Sequence, residues 1–404
     1  MIDIEQTRSG FPALAREVNG RVAAYLDGPG GTQVHGSVIA AMANHMQRGG
    51  ANLHGAFVSS VETDALVGAA RDAVADLLGC RPSEVVFGQN MTSLTYAMSR
   101  ALARTWPTGT NIVVTRLDHD ANVAPWLQAA ASVGAEVRFA DFDPGNGCSL
   151  DVDSLRGAID RNTALVAFTH ASNATGTVTP VTEIVDMAHA VGALTYVDAV
   201  HYAPHGVIDV AASGADFLAC SAYKWFGPHT GIMFGKQEHL EAIAPFKLRP
   251  SPDTAPDRWE TGTQSFESLA GVTAAVDYIA SHGNGPSRRD RIVDAFRSIS
   301  AHEAGLASRF LAGISQMPSV TLFGHTGTGA RTPTFAIDIE GVGPDAVAQS
   351  LGEQGIFVWS GDYYAYEVMK RLERPDGLVR VGFVHYNTLD EVDRAIKGIA
   401  ELHP

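Results

Sequence analysis

Seven short runs of apolar, largely β-branched residues, separated by longer stretches of helical period, constrain this chain more than any other feature. They are Val85–Phe87, Ile112–Thr115, Val137–Phe142, Ala164–Thr169, Ala193–Asp198, Phe217–Ser221 and Ile232–Phe234. Runs that are apolar on both faces need cover on both sides, and a strand that returns after a helix runs parallel to its predecessor. The pattern predicts an α/β fold in which residues 21–283 form a large domain around a mostly parallel seven-stranded sheet wound by right-handed crossovers. The segment SHGNGPSRRD then breaks the alternation. Beyond it, a helical stretch at Arg291–Met317 leads into runs of antiparallel character at Thr334–Ile339, Ile356–Trp359 and Leu378–Val384. This reads as a smaller α+β C-terminal domain, residues 284–404, with residues 1–20 expected to pack against it.

Composition narrows the partners. A formal charge of −15 argues against a nucleic-acid or anionic-membrane partner, which would need a basic face, and a chain 45% hydrophobic and 18% charged has the balance of an ordinary globular protein. No stretch approaches a membrane span in length. The start, MIDIEQTRSG, has neither a basic leader nor an apolar core, so a cytoplasmic location is expected. Three cysteines without metal-ligand spacing (Cys80, Cys148, Cys220) agree with a reducing compartment. A small-molecule ligand is the expected partner.

Ligands of wound α/β sheets bind beyond the carboxyl ends of the strands, so the polar residues just after each run are the candidate site. The first run is followed by Gly88-Gln89-Asn90-Met91-Thr92-Ser93 and a helical pattern; amides and hydroxyls there suit an anion, or a plain N-cap. The second is followed by His119, whose imidazole could lie flat on an aromatic ring or bond within its loop. Asn173 follows the fourth and could hold a phenolate oxygen or form an Asx-turn. Asp198 closes the fifth, where a carboxylate is costly to bury without a cationic partner unless it caps a helix. His201 and His205 have metal-like spacing, but Pro204 interrupts the helix and no third ligand follows, so no metal site is expected.

The sixth run ends in Ser221-Ala222-Tyr223-Lys224, which delivers one amine to the same edge. Flanked by Tyr223 and Trp225 and partly desolvated, Lys224 would lose its proton readily and attack a carbonyl. An anion cradle, a flat imidazole, an amide, a buried acid and this lysine together suit pyridoxal phosphate, whose ring nitrogen pairs with an acid to act as an electron sink. The turn Asp27-Gly28-Pro29-Gly30-Gly31-Thr32 lacks the Gly-Lys-Ser/Thr ending of a phosphate loop and reads as a turn near the site.

The segments YLDGPGGT, ANLHG, VVFGQNMT, RLDHDANVAPW, THASNATGT, YVDAVHYAPH, SAYKWFGP, ETGTQ and RVGFVHYNT occur in this order along nearly the whole chain. In them the chain resembles the class V aminotransferases of fold type I, in the cysteine desulfurase-like branch that also holds selenocysteine lyases and isopenicillin N epimerases. The resemblance implies a fold type I pyridoxal-phosphate enzyme with Lys224 joined to the cofactor, Asp198 at its ring nitrogen, His119 stacked on the ring, and Asn173 and His201 near its phenolic oxygen. It implies Met91, Thr92, Ser221 and Tyr223 around the phosphate, and Thr263 reaching the phosphate of a neighbouring subunit, hence a homodimer with shared active sites. Arg380 matches the arginine that clamps a substrate α-carboxylate, with His54 and Tyr364 beside it. Desulfurases carry a nucleophilic cysteine in the loop that here reads Trp359-Ser360-Gly361-Asp362-Tyr363-Tyr364, and arginines where this chain has Gly55 and Trp359. The implied activity is therefore a carbon–sulfur β-lyase on cysteine or a cysteine derivative without a persulfide-forming cysteine. Transamination and epimerisation are the alternatives of the same chemistry, and a catalytically silent cofactor-fold sensor is the alternative of another class.

Overall fold

The computed structural model describes residues 2–402. The main sheet has seven strands: β1 (Val85–Gly88), β2 (Asn111–Thr115), β3 (Glu136–Ala140), β4 (Thr163–Thr169), β5 (Leu194–Asp198), β6 (Phe217–Ser221) and β7 (Gly231–Gly235). Their order is β1-β7-β6-β5-β4-β2-β3. Only β7 runs against its neighbours, antiparallel to both β6 and β1. Alternate side chains enter opposite cores: Val113, Val166, Phe168 and Val197 join one cluster, Ile112, Val114, Leu165 and Ala167 the other. Burial of both faces is why these strands read as continuous apolar runs. The run expected at Val137–Phe142 is cut short. Asp141 turns its carboxylate onto the Phe142 amide (2.9 Å), and Phe142–Asp143 pairs instead with Ser149–Leu150.

The helices that matter for the site are α1 (Gly36–Arg48), α2 (Val58–Leu78), α3 (Met91–Ala103), α4 (Phe266–Ser281), α5 (Arg288–Ile314) and α6 (Leu389–Ala400). Helices α1 and α2 pack against α4, and α5 packs against α4 and α6. A second, antiparallel sheet follows, with β8 (Val320–Phe323), β9 (Thr334–Ile339), β10 (Trp359–Gly361) and β11 (Leu378–Gly382) in the order β8-β9-β11-β10. It packs against α5 and α6 around Phe310, Phe335, Phe383 and Val392. The strand expected at Ile356–Trp359 is two. Ile356–Phe357 pairs in parallel with Ala24–Tyr25, and Trp359 begins β10 on the edge of the second sheet. Near the chain start, Arg8 bonds Glu391 (2.9 Å) and the Tyr386 carbonyl (2.7 Å), while Phe11 lies edge-on to Phe226 and Tyr278. Among the described residues no helix is long and apolar enough to cross a membrane.

Candidate active site

The carboxyl ends of β4, β5 and β6 converge on a small inner chamber of about 80 Å³ that opens into an outer cavity of about 590 Å³. Thr92, His119, Asn173, Tyr223 and Lys224 line both spaces. Asp198, His201, Met91 and Ser221 line the chamber alone; Arg380 and Tyr364 line the cavity alone.

On one side of the chamber Asn90 caps α3, its side-chain oxygen accepting from the Ser93 amide (2.9 Å), and the Met91 amide donates to Ser221 Oγ (3.0 Å). This leaves the helix start and Thr92 facing the chamber, as an anion site requires. The turn comes this close to the sheet because of Gly231: a Cβ there would lie 2.3 Å from the Asn90 backbone. On the opposite side Asp198 accepts one hydrogen bond, from the Val200 amide (2.9 Å), and burial lifts its carboxyl to about 6 against the pull of Lys224. His119 accepts from the Ala121 amide at Nδ1 (2.9 Å), and burial, with Lys224 and Arg380 nearby, holds it down to about 4, so it is neutral at pH 7. Its ring already stacks on Tyr364, centroids 5.6 Å apart. His201 is buried against Thr332 Oγ1 (3.0 Å) and is pushed well below the usual histidine range by burial and by His205, which itself pairs with Glu303 (2.9 Å).

Lys224 ends a single 3₁₀ turn after β6. Its amine bonds to the Pro29 carbonyl, and burial, reinforced by Arg380, lowers it to about 7 although Asp198 and Asp27 pull the other way. About half the amines are then free base at neutral pH, which is the nucleophilic and basic form. Arg380, on β11, donates from Nη1 to the Asn173 carbonyl (2.9 Å) and lies over the Tyr363 ring (4.3 Å), leaving its buried Nε without a partner. Burial brings Arg380 down to about 10, so it remains a cation.

Two residues implied by the resemblance are not brought to this cavity within one chain. Thr263 is exposed in a separate groove with His229 and Gln89, and the His54 side chain, 80% exposed, pairs with Asp64 (3.2 Å). Two acids were not singled out from the sequence. Asp118 is buried beside Asp198, bonded by Thr115 and by Asn122 (2.7 Å). Asp27 is half-buried with Oδ1 sealed and unpartnered, and burial lifts it to about 6 despite Arg380 and Lys224. The signal was present for Asp27: like Asp198, it closes an apolar run, here Val22–Leu26.

The donor set fits pyridoxal phosphate. Among the described residues Asp198 has no cation within ion-pair distance and Asn173 Oδ1 is buried without a partner, while a lysine amine, a neutral imidazole and a helix start face the same space. The comparisons agree. The pattern of the class-V aminotransferases matches residues 24–395. A cysteine desulfurase of Klebsiella pneumoniae (strain 342) is 31% identical over 99% of this chain and 98% of its own length, and the aminotransferase-like protein FGM3 of Gibberella zeae is 32% identical over 97% and 96%. The apo structure of the cysteine desulfurase from Thermococcus onnurineus superposes with a TM-score of 0.89 at 27% identity, covering 100% of this chain and 98% of that one. The chain belongs to the class-V aminotransferase family of pyridoxal-phosphate-dependent enzymes, in its cysteine desulfurase-like part.

Proposed function

We propose that the protein cleaves the carbon–sulfur β-bond of cysteine or an S-substituted cysteine, releasing pyruvate, ammonium and a thiol, with no persulfide formed on the enzyme. The observation that carries this reading is the absence of a usable thiol. None of the three cysteines lines the cavity or the chamber, and burial pushes Cys148 up to about 11 and both Cys80 and Cys220 to about 12. Sulfur that leaves the substrate therefore has no protein thiolate to attack it.

When bound, pyridoxal phosphate supplies an electron sink for negative charge at the substrate α-carbon. The side chains do the rest. Arg380 holds the α-carboxylate, its plane set by Tyr363 and by the bond to Asn173. Lys224, poised near 7, takes the α-proton. Asp198 is reserved for the ring nitrogen and His119 for the ring face. The sulfur leaves with the electron pair of its bond and gains one proton. Water supplies the pyruvate oxygen, and the nitrogen departs as ammonium. Trp359, Tyr364, Tyr96 and Pro125 wall the outer cavity, an apolar surface that suits a substituent larger than a bare thiol.

Incubation with cysteine and with S-alkyl and S-aryl cysteines tests this. Pyruvate and thiol in equal amounts, with no keto-acid requirement, are expected. Product formed only with a keto-acid acceptor would mean transamination, inversion at the α-carbon without product would mean epimerisation, and cofactor retention without turnover would mean a silent sensor. We also propose a homodimer, because Thr263 and His54 are exposed away from their own cavity. Light scattering should give twice the chain mass.

A further inference from the structure

The mechanism leaves Asp27 unused, although its position is unusual. A parallel backbone bridge joins Asp27 to Gly382, with the Gly382 amide donating to the Leu26 carbonyl (2.8 Å). Arg380 lies two residues before Gly382 on β11 and so projects from the same face. Asp27 precedes the Gly28–Gly30 turn but does not cap it, and its Oδ1 is buried with no partner. Arg380 gives its hydrogen bond to Asn173 instead. The charged and titratable groups that face Asp27 are Arg380 from β11, Lys224 from the turn after β6, and Tyr386 from the segment beyond β11. A carboxylate thus shares the guanidinium's neighbourhood without being bonded to it.

We propose that Asp27 is a positioning residue that exchanges its charge with the substrate: ionised while Arg380 is free, it takes one proton from solvent when a substrate carboxylate reaches Arg380. The proposal rests on the reading that Arg380 is the carboxylate clamp. Two carboxylates around one buried guanidinium repel each other, and the one that ionises less readily gives way. Asp27 already stands near 6 through burial, well above an ordinary α-carboxyl at about 3.5. Asp27 is therefore the group that accepts the proton, and the substrate stays anionic.

Below pH 6 Asp27 is protonated before the ligand arrives and no proton is taken up; above pH 6 each ligand has to bring one proton with it. The probe is 3-(methylthio)propionate, which has a carboxylate but no amine to displace Lys224, titrated calorimetrically into the holoenzyme in buffers of different ionisation enthalpy. Close to one proton taken up at pH 7, almost none at pH 5, and affinity falling about tenfold per unit above pH 6 are expected. Asp27→Asn should remove the uptake and flatten the pH dependence. If that variant does not fold, infrared difference spectra of wild type should gain a carboxylic-acid carbonyl band on ligand binding at pH 7 and not at pH 5. Binding without uptake, or uptake retained in Asp27→Asn, overturns the role of Asp27 and leaves the clamp standing. No binding, or binding unchanged in Arg380→Gln, overturns the clamp and the proposal with it.

Discussion

In the inner chamber, Asp198 and Ser221 stand at the ends of strands buried at every residue but Leu194, whereas the outer rim hangs from a three-residue edge strand, Trp359–Gly361, and the turn after it. In that turn Tyr363 and Tyr364 take φ values of 55° and 56°, a backbone region that non-glycine residues rarely adopt. Four bonds hold it: the Asp120 amide donates to the Tyr364 carbonyl (2.7 Å), Asn173 Nδ2 to the Tyr363 carbonyl (2.9 Å), the Tyr363 hydroxyl to the Leu378 carbonyl, and the Tyr364 amide to Asp362 (2.9 Å). The Trp359 and Tyr364 side chains stay largely exposed. Groups that do chemistry are thus built into a buried sheet, while groups that meet the substrate's far end sit on an exposed edge strand and the turn after it.

Substitutions on the two sides should therefore behave differently. The largest effect is expected at Lys224. Lys224→Ala should lower turnover by at least about 10³-fold and remove the visible absorbance that borohydride bleaches; a surviving band would mean that another amine holds the cofactor. Next, Arg380→Gln should raise KM for amino-acid substrates by about 10- to 100-fold, the cost of a lost charge-assisted contact, with a smaller change in kcat. The third prediction concerns pH. With the Lys224 amine lowered to about 7, only the free base adds to the cofactor aldehyde, so the rate at which apoprotein takes up pyridoxal phosphate should rise roughly tenfold from pH 6 to pH 8. A rise centred instead near the ordinary lysine value would mean that the amine is solvated. The smallest effect belongs to the rim. Trp359→Ala should change kcat/KM for cysteine by less than about tenfold while shifting the preference between S-methyl and S-aryl cysteine; equal losses on both would show that Trp359 supports the chamber rather than the substrate.

The same contrast explains what could be read beforehand. Asp198, Asn173, Lys224 and His119 were legible because each closes or follows a short apolar run set between helical stretches, the pattern of a strand covered on both faces. Val320–Phe323 escaped because it is an edge strand with no fully buried residue, so its composition carries little of that signal. The single run read at Ile356–Trp359 hid a handover from Ala24–Tyr25 to the second sheet, a pairing between residues far apart in the chain that no local pattern encodes. Asp118 was passed over for the same reason, whereas Asp27 closes an apolar run and carried the local signal. What makes both unusual is burial that raises the carboxyl, with Asp198 adding to it at Asp118 and Arg380 opposing it at Asp27.

The reversed strand β7 has a consequence for movement. Because it folds straight back along β6, the Lys224 turn is stapled at both ends: the Ala222 amide bonds the Thr230 carbonyl (2.9 Å), the Gly227 amide bonds Ala222 (3.0 Å), and Thr32 bonds both the Tyr223 carbonyl (3.2 Å) and the Phe226 amide (2.7 Å). The main chain beneath the lysine is a fixed post. Whatever the amine does as one molecule replaces another, it does by swinging on its own four methylenes, like a tethered arm over a stationary bench.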